Sequence, residues 1–437
     1  MINNVERTRS RLSALLKRPI RISLLLLGIC LPPALRAQNR QPITIDSCYA
    51  WATANYPLSQ QRDLIRKTRD YTLDNLAKGI YPQFLVSGSG SYQSAVTAIT
   101  IPGYNIPVAP KDQYKIYGEV SQTLTDFGIN KQKRVISRAD ADLREQNLNT
   151  DLYKLKDRIN QLFFGVLLVN GQLEQNDLSA QDIRTGMAKV QAAISNGTDF
   201  NSSLNKLKAQ LLQTEQHSID LRASRRAYLD MLSLFINQTL DDSAALVKPE
   251  NPALSDSINR PELKGYDIHL QSYQEQRRLN RLNTYPQLNA FFQGGAGQPS
   301  PLNFLTTGWA GYYITGVRLN WNFGALYTIR KDQKINQNNQ ALVLTQKNTF
   351  LFDTRITLHQ QNADIVRYQQ LIRSDDEIIR LRSSVKETSA VQLQNGVLSA
   401  NDYLLDINAE SQARQDRVLH EIQLLMSQYD HKTTSGN

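Results

Sequence analysis

The sequence of 437 residues is short of the side chains that usually build metal and redox sites. It contains 2 cysteines, 4 methionines and 5 histidines. The histidines are scattered, with no pair at metal-ligand spacing, and the methionines form no ladder for soft metals. The glycine-rich stretches lie in strand patterns rather than in phosphate-binding loops between a strand and a helix. These shortages argue against a metal site, a nucleotide site and a catalytic set, so we expect no cofactor and no enzymatic activity.

Long hydrophobic runs are also scarce, and the clearest one lies near the start. The run "ISLLLLGICLPPAL" follows a basic region and ends at "RAQ". A basic region, a short apolar core and a small residue are typical of a secretory signal peptide, so we predict cleavage after Ala37 and removal of residues 1–37. Nothing after residue 37 resembles a transmembrane helix. If the exported chain crosses a membrane, we expect it to do so as β-strands.

Excess positive charge is concentrated in the predicted signal peptide. The formal net charge of the chain is +10, and residues 1–37 hold seven Lys/Arg and one Glu, which leaves the mature chain at +4. This small excess gives no argument for a nucleic-acid partner. Cys30 lies in the signal peptide; its lipidation is an alternative, which the large Ile29 before it disfavours. Cys48 is then the only mature cysteine, so packing and association must stabilise the chain without a disulfide.

The sequence is rich in internal repetition. "IYPQFLVSGSGSY" is matched by "TYPQLNAFFQGGAG", "TLTDFGINKQKR" by "LNWNFGALYTIRK", and "AISNGTDFNSSLNKLKAQ" by "QLQNGVLSANDYLLDINAE". The pairs keep their order and are 204, 196 and 199 residues apart. They indicate a two-fold repeat of about 200 residues. We therefore predict a first repeat at 38–236, a polar connector at 237–260, a second repeat at 261–430 and a disordered tail at 431–437.

Each repeat predicts a helix, a β-hairpin and a long helical hairpin. The helix ends at Tyr-Pro-Gln, because proline cannot continue a helix, and a strand starts there. The first hairpin (82–125) contains strands 82–95 and 114–125, and the second (286–323) contains strands 286–296 and 309–323. The helical hairpins turn at Asn-Gly tips near 196–198 and 395–398.

The predicted strands alternate between an apolar and a polar face. In the last strand the apolar, predicted lipid-facing residues are Trp309, Val317, Leu319, Trp321 and Phe323. The predicted lumen-facing residues are Arg318 and Asn320, together with Lys115 and Glu119 of the second strand. Such alternation fits a barrel wall between lipid and water, although a half-buried soluble sheet shows the same pattern. Four strands cannot close a barrel, so either the sheet is soluble or several chains close it together.

A heptad repeat predicts a helix over residues 129–195. Its apolar positions from Leu148 to Leu173 are spaced alternately by four and three residues, and the register continues to Ile194. At 1.5 Å per residue the helix would be about 100 Å long, more than one globular core can cover. A structural rod is the usual interpretation of such a repeat. Export, duplication and membrane-type hairpins together favour a barrel of helices carried on a β-barrel.

The doubled order of these elements resembles the TolC family of outer-membrane efflux proteins, over residues of about 42–430. "TIDSCYAWATANYP" is similar to the opening helix of that family. The resemblance implies an α+β membrane protein of Gram-negative bacteria. It implies a homotrimer with four strands per chain, twelve in total, in a β-barrel surrounded by outer-membrane lipid. A long periplasmic coiled-coil barrel of helices would continue it, as an exit duct for passive efflux or type I secretion. The implied partners are a periplasmic adaptor (membrane fusion) protein and an inner-membrane pump of the RND or ABC type.

The resemblance also places a periplasmic gate at the tips. Gly396 opens one tip, and Asp402 follows at the spacing of an acidic residue that forms a constriction in TolC-like proteins. The second acidic position of the family falls on Leu405. In the first repeat Gly197 opens the tip and Ser203 is equivalent to Asp402, so we expect any acidic ring to come from the second repeat. The alternative is that Asp402 is a first-turn acid favoured by the helix dipole.

Two other classes of protein remain open. A structural coiled-coil protein of the cell envelope would use the same heptads, but it would not fractionate as a heat-labile trimer in the outer membrane. A periplasmic adaptor carries one helical hairpin, whereas this chain predicts two.

Overall fold

The computed structural model describes residues 42–99, 101–303 and 305–437, in which eight α-helices and four β-strands follow one another. The predicted signal peptide, with its cleavage point and Cys30, lies outside the described residues. In chain order the elements are α1 (Ile45–Asn55), α2 (Gln61–Lys78), β1 (Gln83–Tyr92), β2 (Asp112–Thr125), α3 (Ile129–Tyr153), α4 (Leu155–Ser195), α5 (Asn201–Ile236), α6 (Pro261–Leu282), β3 (Gln287–Gln298), β4 (Ala310–Asn320), α7 (Gly324–Gln394) and α8 (Ala400–Ser435).

The strands form one antiparallel sheet in the order β1-β2-β3-β4. β1 and β3 begin at Gln83 and Gln287, the glutamines of the two Tyr-Pro-Gln motifs, because proline and the residue before it both leave the helical conformation. β4 ends three residues before the predicted end at 323. Asn322 accounts for this difference, since its Oδ1 accepts a hydrogen bond from the amide of Gly324 at 3.0 Å and starts the turn into α7.

The helices pair along their lengths. α2 packs on α3, α3 on α6 and α6 on α7, while α4 pairs with α5, α7 with α8, and α4 also contacts α8. The 71 residues of α7 correspond to about 105 Å. The helix predicted over 129–195 is interrupted once, at Lys154, beside a tertiary contact from the Tyr153 hydroxyl to the Thr433 carbonyl oxygen at 2.9 Å. Among the described ranges, no helix combines the length and the apolar character needed to cross a membrane.

The heptad seam of α3 and α4 is buried as predicted. Ile159 and Val166 are fully buried, and most other members of the series from Leu148 to Val190 are buried. In α7 apolar residues recur every seven positions from Leu344 to Ile379, which predicts that Leu344 is buried. This is wrong at the start of the series, because Leu344 is exposed and Val343 is buried instead. An α-helix drifts by about 20° per heptad against a strict seven-residue repeat, so a helix of this length moves its buried stripe to neighbouring positions.

Two apolar clusters hold the helices together. The first joins α1, the start of α4 and the ends of α5 and α8, with Cys48, Phe163 and Ile236 at its centre. Burial raises the pKa of the Cys48 thiol to about 12, so this cysteine stays protonated and unreactive. The second cluster lies at the far ends of α4, α5, α7 and α8 and includes Leu207 and Tyr403.

The polar segment after residue 430 is not the disordered tail that its composition predicts. It forms the last turns of α8, where His431 and Ser435 are fully buried. The Ser435 carbonyl oxygen accepts a hydrogen bond from the amide of Asn259 at 2.7 Å. The prediction is wrong because composition says nothing about the connector (237–260), which packs against this end of α8.

Candidate functional site

The two tips of the helical hairpins share one backbone design. Gly197 and Gly396 adopt positive φ angles of 74° and 70°, a conformation that favours glycine. The Gly197 amide donates to the Ile194 carbonyl oxygen and the Thr198 amide to the Ala193 carbonyl oxygen. The same pair of bonds follows Gly396. This Schellman arrangement satisfies the last carbonyl groups of α4 and α7 and reverses the chain sharply.

Asp402 lies at the start of α8, exposed at the tip. Ser399 is the N-cap residue, and its Oγ accepts a hydrogen bond from the Asp402 amide at 3.2 Å. The same hydroxyl donates to Asp402 Oδ2 at 2.7 Å. Asp402 is therefore an acid in the first turn of α8, as the alternative interpretation of the sequence expects. The residue is also exposed to solvent, so it remains available to line a gate.

The first-repeat tip carries an acid that the sequence comparison missed. Asp199 Oδ1 accepts a hydrogen bond from the Ser203 hydroxyl at 2.7 Å and another from the Phe200 amide at 2.6 Å. The acid of the first tip thus lies two residues after its glycine, whereas Asp402 lies six residues after Gly396. The expectation that any acidic ring comes from the second repeat was drawn from Ser203 alone, and matching residues by their distance from glycine overlooks the acid at position 199.

An ionic cluster around the buried Glu410 joins three helices next to the tips. Lys386 of α7 contacts Asp182 of α4 at 2.8 Å and Glu410 of α8 at 2.5 Å. Arg414 contacts the other oxygen of Glu410 at 2.7 Å. Burial by itself raises the pKa of Glu410, but hydrogen bonds from Lys386, Ser383 and Arg414 outweigh it and the pKa is lowered. Sequence reasoning missed this cluster, whose members lie up to 232 residues apart (182 to 414).

The sheet has one apolar and one polar face. Residues paired across neighbouring strands point to the same side, and Val317 and Leu319 lie on the apolar side, where Val317 is 62% exposed. Other exposed apolar and aromatic residues of this face include Phe84, Val86, Tyr114, Ile116, Phe292 and Tyr313. The four residues predicted to face a lumen, Lys115, Glu119, Arg318 and Asn320, all lie on the opposite, polar side.

The polar face is the more enclosed of the two. Tyr312 and Gln293 are 8% and 9% exposed, and Gln293 Nε2 donates to the Tyr312 hydroxyl at 3.0 Å. Arg318 contacts Glu119 at 3.2 Å and lies 4.5 Å from the centre of the Phe291 ring. A folded sheet in water normally buries its apolar face, so this sheet is inverted.

Aromatic side chains flank the apolar face at both ends. Trp309, just before β4, stacks on Tyr114 with ring centroids 6.4 Å apart. Trp321 and Phe323, just after β4, lie 4.5 Å apart, and Trp321 Nε1 donates to the Thr284 carbonyl oxygen. The 11 residues of β4 extend about 36 Å, or about 26 Å along a membrane normal when tilted by about 45°. This matches the apolar band of about 25 Å in membrane barrels.

The polar face continues into a cavity where the sheet meets the helices. The cavity has a volume of about 610 Å³, and Gln287 and Asn320 of the polar face line it. Asn280, Asn283 and Asn322 add further carboxamides from α6 and the turn before α7. Carboxamides both donate and accept hydrogen bonds, and Asp332 of α7 adds a carboxylate, so this junction suits water and polar solutes. Within the described residues, no group of three His, Cys, Asp or Glu could hold a metal ion.

Neither a protein-family model nor a curated protein sequence matches the chain. Solved structures do. The CmeC outer membrane channel of Campylobacter jejuni superimposes with a TM-score of 0.64 at 14% identity, covering 90% of this chain and 85% of CmeC. The outer membrane protein VceC of Vibrio cholerae superimposes with a TM-score of 0.63 at 11% identity, covering 90% of this chain and 96% of VceC. The open state of the MtrE outer membrane channel of Neisseria gonorrhoeae superimposes with a TM-score of 0.63 at 13% identity, covering 90% of this chain and 89% of MtrE.

These similarities define the class of fold. The chain has the fold of the outer-membrane channels, with a four-stranded antiparallel sheet joined to long paired helices, and this part of the prediction from the resemblance is confirmed.

Proposed function

We propose that the chain is one subunit of an outer-membrane efflux channel of a Gram-negative bacterium. The inverted sheet, banded by aromatic residues at both ends, is the observation that carries this proposal. Its apolar face faces lipid, with Val317 and Leu319 in the band and Trp309, Trp321 and Phe323 at the interfaces. Aromatic residues are favoured at the membrane–water boundary because their rings are apolar and their edges polar.

Closure of the sheet requires further copies of the chain. β1 and β4 are the two edges of the sheet, and each leaves backbone groups unpaired along one side. An unpaired backbone group in lipid costs several kcal/mol, and a bacterial barrel needs at least eight strands. In a closed ring β4 of one copy pairs antiparallel with β1 of the next. A homotrimer supplies twelve strands, and the paired helices of three copies continue it as a periplasmic tunnel.

The polar residues then line a continuous path. It begins at the tips, where Asp402 and Asp199 form the gate, and passes the junction cavity to the polar face of the sheet. The path offers hydrogen bonds and fixed charges but no reacting groups, which suits passive conduction by an exit duct. An inner-membrane pump of the RND or ABC type and a periplasmic adaptor supply the energy and the connection, in tripartite efflux or type I secretion.

Fractionation and conductance test this proposal together. The mature protein purified from outer membranes should migrate as a trimer that dissociates on heating, and it should form ion-conducting channels in planar bilayers. A structural coiled-coil protein of the envelope would give a soluble or peripheral rod without conductance. That result would refute the proposal.

A further inference from the structure

The polar face of the sheet contains a lysine without an acidic partner, lying against two tyrosines. Lys115 Nζ is 4.7 Å from the centre of the Tyr117 ring and 5.4 Å from the centre of the Tyr312 ring. Both distances are within the range of a cation–π contact. Among the described residues, no carboxylate lies within ion-pair distance of this ammonium, whereas Glu119 on the same face is engaged by Arg318.

Within the sheet, no side chain stands between the two tyrosines on the polar face. Gly295 of β3 pairs with Tyr117 on one side and with Tyr312 on the other. A Cβ atom at Gly295 would lie 2.2 Å from the Ile116 carbonyl oxygen and 2.6 Å from Tyr117 Cβ, so only glycine fits there. The next position of β3 on this face is also a glycine, Gly297, opposite Lys115. The two tyrosines therefore stand on either side of a strand position without a side chain, and the lysine ammonium lies over both rings.

We infer that Lys115, Tyr117 and Tyr312 form a binding site for planar aromatic anions. The aromatic ring of the ligand takes the place of the ammonium over the tyrosine rings, and the ammonium moves to the anionic group, to which it donates a charge-assisted hydrogen bond. Such a bond is stronger than the cation–π contacts that it replaces. An organic cation would instead meet the unpaired positive charge of Lys115.

This site rests on the proposed function in one respect, namely that the polar face lines a lumen that solutes enter. Lys115 lies three residues from the loop end of β2. A solute added on the outer side therefore reaches it without passing the acidic tips. In a trimer three copies of the site surround the same lumen.

Direct binding to the purified full-length channel in detergent tests the site by itself. The probe is 2-naphthalenesulfonate, with methanesulfonate as an anion without a ring and 2-naphthol as a ring without the anion. Isothermal titration should detect saturable binding of the naphthalenesulfonate alone. Lys115→Gln should weaken it about tenfold, the expected loss for one charge-assisted hydrogen bond. Tyr117→Leu should weaken it several-fold.

Lys111→Gln is the matched control. Lys111 is exposed one residue before β2, so the substitution removes the same charge from the same end of the sheet without touching the rings. Its affinity should stay within about twofold of the unaltered protein. The inference would be overturned if Lys115→Gln bound naphthalenesulfonate as tightly as the unaltered protein does, or if Lys115→Gln and Lys111→Gln lost the same affinity. Binding of methanesulfonate as tight as that of naphthalenesulfonate would also overturn it. Since Lys115→Gln introduces no large change of volume, the test does not depend on whether Tyr117→Leu assembles.

Planar bilayers separate the site from the proposed function. Naphthalenesulfonate on the outer side should reduce the current through the unaltered channel more than through the Lys115→Gln channel. Binding without any conductance would retain the site and refute the channel, whereas conductance with identical block in both proteins would retain the channel and refute the site.

Discussion

Ser399 Oγ donates a hydrogen bond to Asp402 Oδ2 at 2.7 Å, and the first tip repeats this contact with the residue types exchanged, from Ser203 to Asp199 at the same distance. The two halves of the chain thus reach one arrangement, an acid held by a hydroxyl beside a turn, through different residue positions. In a trimer six carboxylates would surround the tips.

The first prediction concerns these carboxylates. Closely spaced acids attract cations and impede anions, so we expect small, cation-selective conductance that multivalent cations block from the side of the tips. Asp402→Ala should weaken the block and the selectivity without loss of the trimer, and Asp402→Ala with Asp199→Ala should weaken both further. Reversal potentials in salt gradients measure the selectivity.

Ser203→Ala is the control for the tip, because it keeps both acids and removes only a hydroxyl. It should change selectivity little. Unaltered block and selectivity in the double variant would show that the two acids serve helix and turn geometry alone.

The second prediction concerns the apolar face of the sheet. Val317→Arg should destabilise the barrel by about 2–4 kcal/mol, the cost of a charge near the middle of the lipid. Arg at Trp309 or Trp321, at the ends of the band, should cost less. Asn320→Arg on the polar face is the matched variant and should assemble normally. Heat-dissociation of the trimer on gels measures the effect. If Val317→Arg assembled normally and Asn320→Arg did not, the polar face and not the apolar face would be the one that contacts lipid.

The third prediction concerns the ionic cluster of Lys386 and Glu410. Lys386→Met removes one of the groups bonded to Glu410, while Arg414 and Ser383 remain, so the loss should be about 2 kcal/mol, that of one hydrogen bond to a charged group. The lowered pKa of Glu410 means that its stabilising contribution is present above its ordinary pKa and is lost as the pH falls through the lowered value. The variant should therefore unfold earlier at pH 7 and approach the unaltered protein at acidic pH, as followed by circular dichroism.

Arg380→Met is the comparison for that experiment. Arg380 pairs with Glu377 at 2.6 Å, but both side chains are exposed to solvent. Exposed pairs contribute little because water screens them. If Lys386→Met and Arg380→Met unfolded at the same temperature, the buried cluster would have no special part in stability.

The fourth prediction concerns Asp430 near the end of α8. Burial raises the pKa of this carboxyl group to about 6, although Asn160 Nδ2 donates to it at 2.8 Å. A raised acid pKa means that the folded state binds the proton more tightly than the unfolded state, so stability falls as the pH rises from about 4 to about 6. Asp430→Asn keeps an acceptor for Asn160 and should stabilise the protein at pH 7 by about 2 kcal/mol. Its melting temperature should vary less between pH 4 and pH 6 than that of the unaltered protein.

Much of the fold could be predicted because the relevant signals are local. The buried series from Leu148 to Val190, the proline-to-strand transitions and the alternation around Arg318 each involve residues a few positions apart. The same holds for Gly197 and Gly396, whose positive φ angles are required by the turns themselves. Failures at this level were small, such as the shift from Leu344 to Val343, and they arise from the mismatch between helical geometry and a seven-residue repeat.

The sequence by itself determined which segments become strands, helices and turns and which side of each strand is apolar, because propensity and periodicity act between near neighbours. Only the tertiary structure decided that Asp182, Lys386 and Glu410 meet, that Ser203 holds Asp199 at the first tip, and that Ser435 is buried under the connector. These contacts depend on how helices and loops separated by tens to hundreds of residues pack against one another. No local pattern in the sequence records that packing, so composition assigned Ser435 to a loose tail when a buried hydrogen bond to Asn259 holds it in a helix.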